Sequence, residues 1–289
     1  MKIVRSPRHI QTLTADLRKR GKKIGFVPTM GYLHEGHLSL LRKARKENDV
    51  SVASIFVNPT QFGPKEDFKA YPRDLKRDSS LCAKEKVDYL FVPEAFAMYP
   101  KGFETYVEPG PLASVLCGAS RPGHFRGVAT VVAKLFNLVR PHSAYFGQKD
   151  FQQALIIQRL AKDLDFDLKV RILSTVREKD GLAMSSRNTY LDADARRKAL
   201  CLIESLRWSK KKISEGERSA AWLKQGMMKI LKKGLSRVDY VEIRNASNLS
   251  PVKILSGKII ITLAGFVETR ADGNKKEVRL IDNFLLQAK

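Results

Sequence analysis

Along the first two-thirds of the chain, short unbroken apolar runs alternate with longer stretches that are apolar on one side only. Lys23-Ile24-Gly25-Phe26-Val27 is one such run, stopped by Pro28, and Val50 to Val57 is a second, β-branched run that also ends before a proline. Both predict buried strands. Between them Leu38, Leu40, Leu41 and Ala44 recur at helical spacing, with Arg42, Lys43, Arg45 and Lys46 on the opposite side. The succession repeats. Asp74 to Lys86 predicts a helix before the strand Val87 to Val92, Gly127 to Val139 an apolar helix before the strand Ser143 to Phe146, and Asp150 to Ala161 a helix before the strand-like Leu168 to Leu173. Alternating strands and helices predict an α/β fold with a doubly wound, mostly parallel, Rossmann-like sheet, whose ligands bind beyond the carboxyl ends of the strands.

After about Met184 the texture changes. Asp192 to Ile213 and Ala220 to Leu231 predict amphipathic helices. Val238 to Ile243, Lys258 to Leu263 and Val278 to Ile281 predict short antiparallel strands, the last two separated by Asp272-Gly273-Asn274. The expected organisation is a first domain over 1–183 and a smaller C-terminal α+β domain over 184–289. No internal repeat or low-complexity linker is visible.

With 289 residues, 43% hydrophobic and 29% charged, the chain can bury a sizeable core. No apolar run approaches the ~20 residues of a membrane helix, and charge interrupts the stretch before Gly21, so a cytoplasmic protein is expected. Cys82, Cys117 and Cys201 are too dispersed for a zinc ribbon or a disulfide framework and predict buried free thiols. The formal net charge of +23 would suit a polyanionic partner. Its carriers, however, are scattered (Lys22-Lys23, Lys43 to Lys46, Arg196 to Lys198, Lys210 to Lys212, Lys232-Lys233), with no basic arm, zinc finger or RNP-like aromatic run. A solvated surface is the expectation, and nucleic acid is not an expected partner.

The chemistry starts at Pro28-Thr29-Met30-Gly31-Tyr32-Leu33-His34-Glu35-Gly36-His37, where a strand ends, a glycine-bearing turn follows and a helix begins. Two histidines three apart share one face of the first turn. Unpaired N–H groups and the positive dipole end favour an anion there, and two imidazoles add directed donors, so the site suits a phosphate. The spacing is too short for a His-x-x-x-His zinc pair, and the glycines form neither a P-loop nor a dinucleotide fingerprint. Two structural histidines remain the competing reading of the motif alone.

Five further stretches accompany this one in order: Ile55-Phe56-Val57-Asn58-Pro59 with Gln61-Phe62; Tyr71-Pro72-Arg73; Arg121-Pro122-Gly123-His124-Phe125-Arg126-Gly127-Val128; Phe146-Gly147-Gln148-Lys149-Asp150-Phe151-Gln152-Gln153; and Asp180-Gly181-Leu182-Ala183-Met184-Ser185-Ser186-Arg187-Asn188. Together they resemble the pantoate-beta-alanine ligase family of the nucleotidylyltransferase superfamily, from about Lys22 to Asn283. The resemblance implies a ligase in which the carboxylate of pantoate attacks the α-phosphorus of ATP, releasing pyrophosphate. The amine of β-alanine then displaces AMP from pantoyl adenylate to give pantothenate.

Carried over by motif, the resemblance implies an ATP site from Met30, Gly31, Tyr32, Leu33, His34, Glu35, Gly36 and His37, with His37 in the proton-donor role and His34 beside it on the triphosphate. Gly147, Gln148, Lys149 and Asp150 would cradle ribose and phosphate, Lys149 supplying a point charge. Val176 would meet adenine through its backbone, and Met184, Ser185, Ser186 and Arg187 would form a mobile loop on the departing pyrophosphate. Gln61 and Gln153 would hold pantoate or β-alanine through neutral amides. Mg²⁺ would accompany ATP, with Asp78 as its candidate ligand against the reading of an ordinary helix carboxylate. For Ser185 to Arg187 the competing reading is a capping turn. His124 and Arg126 are either near the substrate or a subunit contact, or simply turn architecture. A homodimer is implied. The chain departs from the family pattern at Gln148, where Glu is usual, and at Thr60, where Met is common. The rivals are another paired-histidine nucleotidylyltransferase and a basic nucleic-acid-binding protein.

Overall fold

The computed structural model describes residues 1–64, 66–271 and 273–288. In chain order its elements are β1 (Lys2–Val4), α1 (Pro7–Lys19), β2 (Ile24–Thr29), α2 (Glu35–Glu47), β3 (Val50–Ile55), α3 (Leu75–Lys84), β4 (Tyr89–Phe91) and α4 (Ala95–Met98). There follow α5 (Cys117–Ser120), α6 (His124–Val139), β5 (Ser143–Gly147), α7 (Phe151–Asp163), β6 (Lys169–Leu173), α8 (Ala193–Ala199), α9 (Cys201–Ser214), α10 (Ala220–Leu231), β7 (Arg237–Asn245), β8 (Gly257–Thr269) and β9 (Lys276–Ala288).

One compact unit comprises Met1–Ser114 and Arg121–Ser174. Its six strands lie in the order β1-β4-β3-β2-β5-β6, and every pair is parallel. The chain leaves β2 for β3 on one side, while β5 pairs on the other, so the strand order reverses between β2 and β5. At such a switch point the loops after the two strands part and leave a crevice. Ile24, Phe26, Val27, Val52, Ala53 and Leu90 are buried, as unbroken apolar runs demand of strands covered on both faces. β1 and α1 had no counterpart among the predicted elements. β1 is a three-residue edge strand, and α1 buries only Ile10 and Thr14, which leaves little periodicity. The available signal was Ser6-Pro7, where the serine side chain accepts from His9 N–H and proline opens the helix.

The other unit comprises Val115–Ser120 and Thr175–Lys289. The expected boundary at 183/184 falls inside it. Residues 177–183 form a small antiparallel turn, bridged between Arg177 and Ala183, and Arg177 makes a bidentate pair with the buried Asp282 of β9 at 2.7 and 2.8 Å. A three-stranded antiparallel sheet β7-β8-β9 packs Ile243, Ile259, Ile261 and Leu263 into a core with Leu202, Leu206, Leu223, Met227 and Leu231. The predicted helix Asp192 to Ile213 is divided into α8 and α9 at Leu200. β8 and β9 run for 13 residues each, well beyond the predicted apolar segments. Their register continues from Gly257↔Ala288 to Thr269↔Lys276, so ladder pairing carries the strands through charged residues of poor strand propensity. Of the predicted turn, Gly273 takes φ +78°, while Asp272 lies outside the described residues.

Candidate active site

The loop after β2 is pinned from below. Thr29 Oγ1 donates to the Ser54 carbonyl at 2.8 Å and accepts from Gly31 N–H at 3.1 Å. Gly31 has φ +86°, and a Cβ there would stand 2.9 Å from Ile55 Cγ2 and 3.0 Å from Asp78 Oδ2, so glycine is required on both grounds. Asp78 is fully buried and accepts from the N–H groups of Tyr32 at 2.7 Å and Leu33 at 2.8 Å. Burial raises its pKa, and those two N–H bonds pull the other way. Arg77 reinforces the grip by donating to the Leu33 carbonyl at 2.8 Å and lying over the Tyr32 ring.

Asp78 therefore does not fit the expected role of magnesium ligand, because both of its oxygens are turned on the loop backbone. Among the described residues no group of three or more His, Cys, Asp or Glu side chains could hold a metal ion.

His34 and His37 open α2 as a reciprocal cap. His34 Nδ1 accepts from Gly36 N–H at 3.1 Å, and His37 Nδ1 accepts from His34 N–H at 3.3 Å. With both Nδ1 atoms accepting, a neutral ring carries its proton on Nε2. The rings stand 4.1 Å apart. The pKa of His37 lies well below the ordinary imidazole value, because of burial first and then the charges of His34 and Lys149. A neutral His37 is a hydrogen-bond donor through Nε2 rather than an imidazolium acid. Glu35 is turned outward onto Arg42, which also holds Glu85 at 2.7 Å.

Gln61 ends the 3₁₀ turn Pro59–Gln61 and is largely buried. Its Oε1 accepts from Asn58 Nδ2 at 3.1 Å, and its Nε2 lies 3.2 Å from Met30 Sδ, which ties this turn to the β2 loop. The fully buried Asn58 also donates to the Gly127 carbonyl at 3.1 Å, and its Oδ1 accepts from Thr60 Oγ1 at 3.0 Å and Tyr99 Oη at 2.8 Å. The hydroxyl of Thr60 is thus used in the turn. On the neighbouring strand, Gly147 closes β5, Gln148, Lys149 and Asp150 form a 3₁₀ turn, and Gln153 lies in the first turn of α7. Gln153 makes no side-chain hydrogen bond among the described residues, whereas the buried Gln152 donates to the Leu112 carbonyl at 2.8 Å.

In the second unit, Met184 N–H donates to the Val176 carbonyl at 3.0 Å. Ser185 caps the 3₁₀ turn Ser186–Tyr190 by accepting from Arg187 N–H at 3.3 Å, so the capping reading is realised in the structure. Asn188 locks the turn by donating to Glu178 at 2.6 Å and to the Ala183 carbonyl at 3.1 Å. Sequence reasoning did not single out Thr29, Asn58 or Tyr99. Asn58-Pro59 immediately before the glutamine was the available sign, a side-chain cap followed by proline.

Similarity to known proteins decides what this arrangement belongs to. The family model described as pantoate-beta-alanine ligase matches residues 2–285. The chain belongs to the pantoate-beta-alanine ligase family. It is 53% identical over 286 residues to a pantothenate synthetase of Thermosipho melanesiensis, covering 99% of each chain. A pantothenate synthetase of Moorella thermoacetica is 52% identical over 288 residues, again covering 99% of each chain. Among solved structures, that of a pantothenate synthetase from Thermus thermophilus superposes with a TM-score of 0.90 at 44% identity, covering 98% of this chain and 99% of that one. The pantoate-beta-alanine ligase from Francisella tularensis, complexed with beta-gamma ATP and beta-alanine, gives 0.78 at 36% identity, covering 99% and 97%. The chain is a ligase, and neither rival reading gains support from these likenesses. Among the described residues no helix is long and apolar enough to cross a membrane.

Proposed function

We infer that the enzyme joins pantoate to β-alanine through a pantoyl adenylate, using ATP and releasing pyrophosphate and AMP. The observation that carries this reading is the juxtaposition at the β2–β5 switch point. The cap of His34 and His37 follows one strand and the turn with Lys149 follows its parallel neighbour, near enough for the Lys149 charge to act on His37, and the neutral amide of Gln61 is tied to Met30.

In the first step a carboxylate oxygen of pantoate forms a bond to the α-phosphorus as the bond to pyrophosphate breaks. The Nε2–H groups of both histidines, the N-terminus of α2 and the Lys149 ammonium stabilise the growing phosphate charge. The family resemblance assigns Ser185, Ser186 and Arg187 to the pyrophosphate and the Val176 backbone to adenine. Gln61 and Gln153 hold the organic acid. In the second step the amine of β-alanine attacks the acyl carbon and AMP leaves, so the work of the protein is alignment and charge stabilisation.

Mg²⁺ is read as arriving with ATP, on which it neutralises phosphate charge, and no protein cage for it is proposed. The family resemblance also supports a cytoplasmic homodimer, and sedimentation of the purified chain tests the dimer. The direct test of the first step is pyrophosphate–ATP exchange. Exchange that depends on pantoate and proceeds without β-alanine supports the reading, and exchange indifferent to pantoate would refute it.

A further inference from the structure

His124 begins α6, is 8% exposed, and has a partner at each ring nitrogen. Nδ1 lies 2.8 Å from the Gln61 carbonyl, and Nε2 lies 3.1 Å from Arg121 Nη1. A carbonyl can only accept and a guanidinium can only donate. The ring is therefore the neutral Nδ1–H tautomer, donating to Gln61 and accepting from Arg121. Arg121 in turn makes a bidentate pair with Glu66 at 2.6 and 2.5 Å and reaches the Gln61 carbonyl at 3.4 Å. Burial works to raise the Glu66 pKa, but the hydrogen bond and charge of Arg121 outweigh it and hold the carboxyl below its ordinary range.

The same turn is seated from the other side. A Cβ at Gly127 would stand 2.2 Å from the Thr60 carbonyl oxygen and 2.7 Å from Gln61 Cα, so the start of α6 presses directly on this backbone. With both nitrogens occupied and its pKa lowered to about 4, by burial first and then the Arg121 charge, His124 stays uncharged near neutrality. Its consequence for the reaction runs through Gln61.

We propose that His124 is a positioning residue: with Arg121 and Glu66 it fixes the carbonyl of Gln61 and so aims the Gln61 amide at the organic acid. This rests on the reading of Gln61 as a ligand of pantoate. It distinguishes His124 from Arg126, two residues along, which lies over the Tyr106 ring and beside Glu108 at 3.4 Å, away from this turn.

The test is a set of KM measurements for pantoate and for ATP on the full chain carrying Gln61→Ala, His124→Leu, His124→Asn and the double variant Gln61→Ala/His124→Leu. His124→Leu is expected to raise the pantoate KM about tenfold while the ATP KM stays within about twofold. His124→Asn, whose amide N–H can stand where Nδ1–H stands, is expected to restore most of that loss. In the Gln61→Ala background His124→Leu should add nothing, since the two act through one contact. Equal rises in both KM values, failure of His124→Asn to rescue, or a further tenfold rise on top of Gln61→Ala would overturn the proposal. A wild-type pantoate KM in Gln61→Ala alone would instead remove the reading of Gln61 on which it stands. Should His124→Leu fail to fold, Glu66→Gln at the outer end of the tie is expected to give a pantoate-selective rise of about threefold. An unselective change there would count against the proposal.

Discussion

The backbone N–H of His34 points at Nδ1 of His37, 3.3 Å away, and this one contact fixes which nitrogen of His37 is left for a ligand. The ring is committed through Nδ1 to capping the helix, so Nε2 is the end that can donate. Variants that replace that end should therefore differ from variants that remove it. His37→Ala is expected to lower the adenylation rate by about 10²- to 10³-fold, and His37→Gln, which keeps a donor near the Nε2 position, by clearly less. Single-turnover pyrophosphate release measures both. Equal losses would show that donation is not the role of this ring.

His124 gives the fold a pH dependence whose sign follows from its depressed pKa. The unfolded histidine takes up its proton near 6.5, while the folded one resists until about 4. The contribution is complete above the unfolded value and is lost as the pH falls across that interval, by about 3 kcal/mol at most. Urea unfolding at pH 7 and pH 4.5 should show a larger drop in the wild type than in His124→Asn, which cannot titrate. Equal drops would mean that His124 is protonated in the folded protein at the lower pH.

Asp78→Asn tests the grip on the β2 loop. An amide offers one acceptor where the carboxylate offers two, and it turns an N–H₂ toward a backbone donor. The cost is expected to be about 2 kcal/mol of stability, from a buried N–H left unpaired. The ATP KM should rise while the requirement for Mg²⁺ stays unchanged. A raised Mg²⁺ requirement with normal stability would return Asp78 to the role of metal ligand.

Gly127→Ala places a methyl group against the backbone of Thr60 and Gln61, where neither side is a flexible side chain. Destabilisation of about 1 to 3 kcal/mol is expected, together with a raised pantoate KM. Unchanged thermal unfolding and kinetics would show that the turn can yield.

Much of this was legible from the residues, for reasons that can be stated. Buried parallel strands leave unbroken apolar runs, so Ile24 to Val27 and Val50 to Ile55 announced themselves, and alternation with helices gave the doubly wound class, while the reversal of strand order between β2 and β5 is visible only in the pairing. The paired histidines were visible because a ligand-facing helix start needs particular residues at fixed spacing. What could not be read was tertiary pairing. Nothing near Asp78 in sequence says that its oxygens face Tyr32 and Leu33, about 45 residues away, and its helical setting resembled that of any solvated carboxylate. His124 and Arg121 likewise gain their meaning only from the Gln61 carbonyl some 60 residues earlier. The polar ends of β8 and β9 became strand through pairing with each other rather than through their own preferences.

The central claim is that one site activates pantoate with ATP and passes it to β-alanine. The most direct measurement follows AMP and pyrophosphate when purified enzyme and MgATP are supplied with pantoate, β-alanine, both or neither. Sustained formation of both products only when both organic substrates are present, with a single-turnover burst of pyrophosphate for pantoate alone, is the predicted result. Pyrophosphate release that does not depend on pantoate, or AMP formation unaffected by omitting it, would contradict the account.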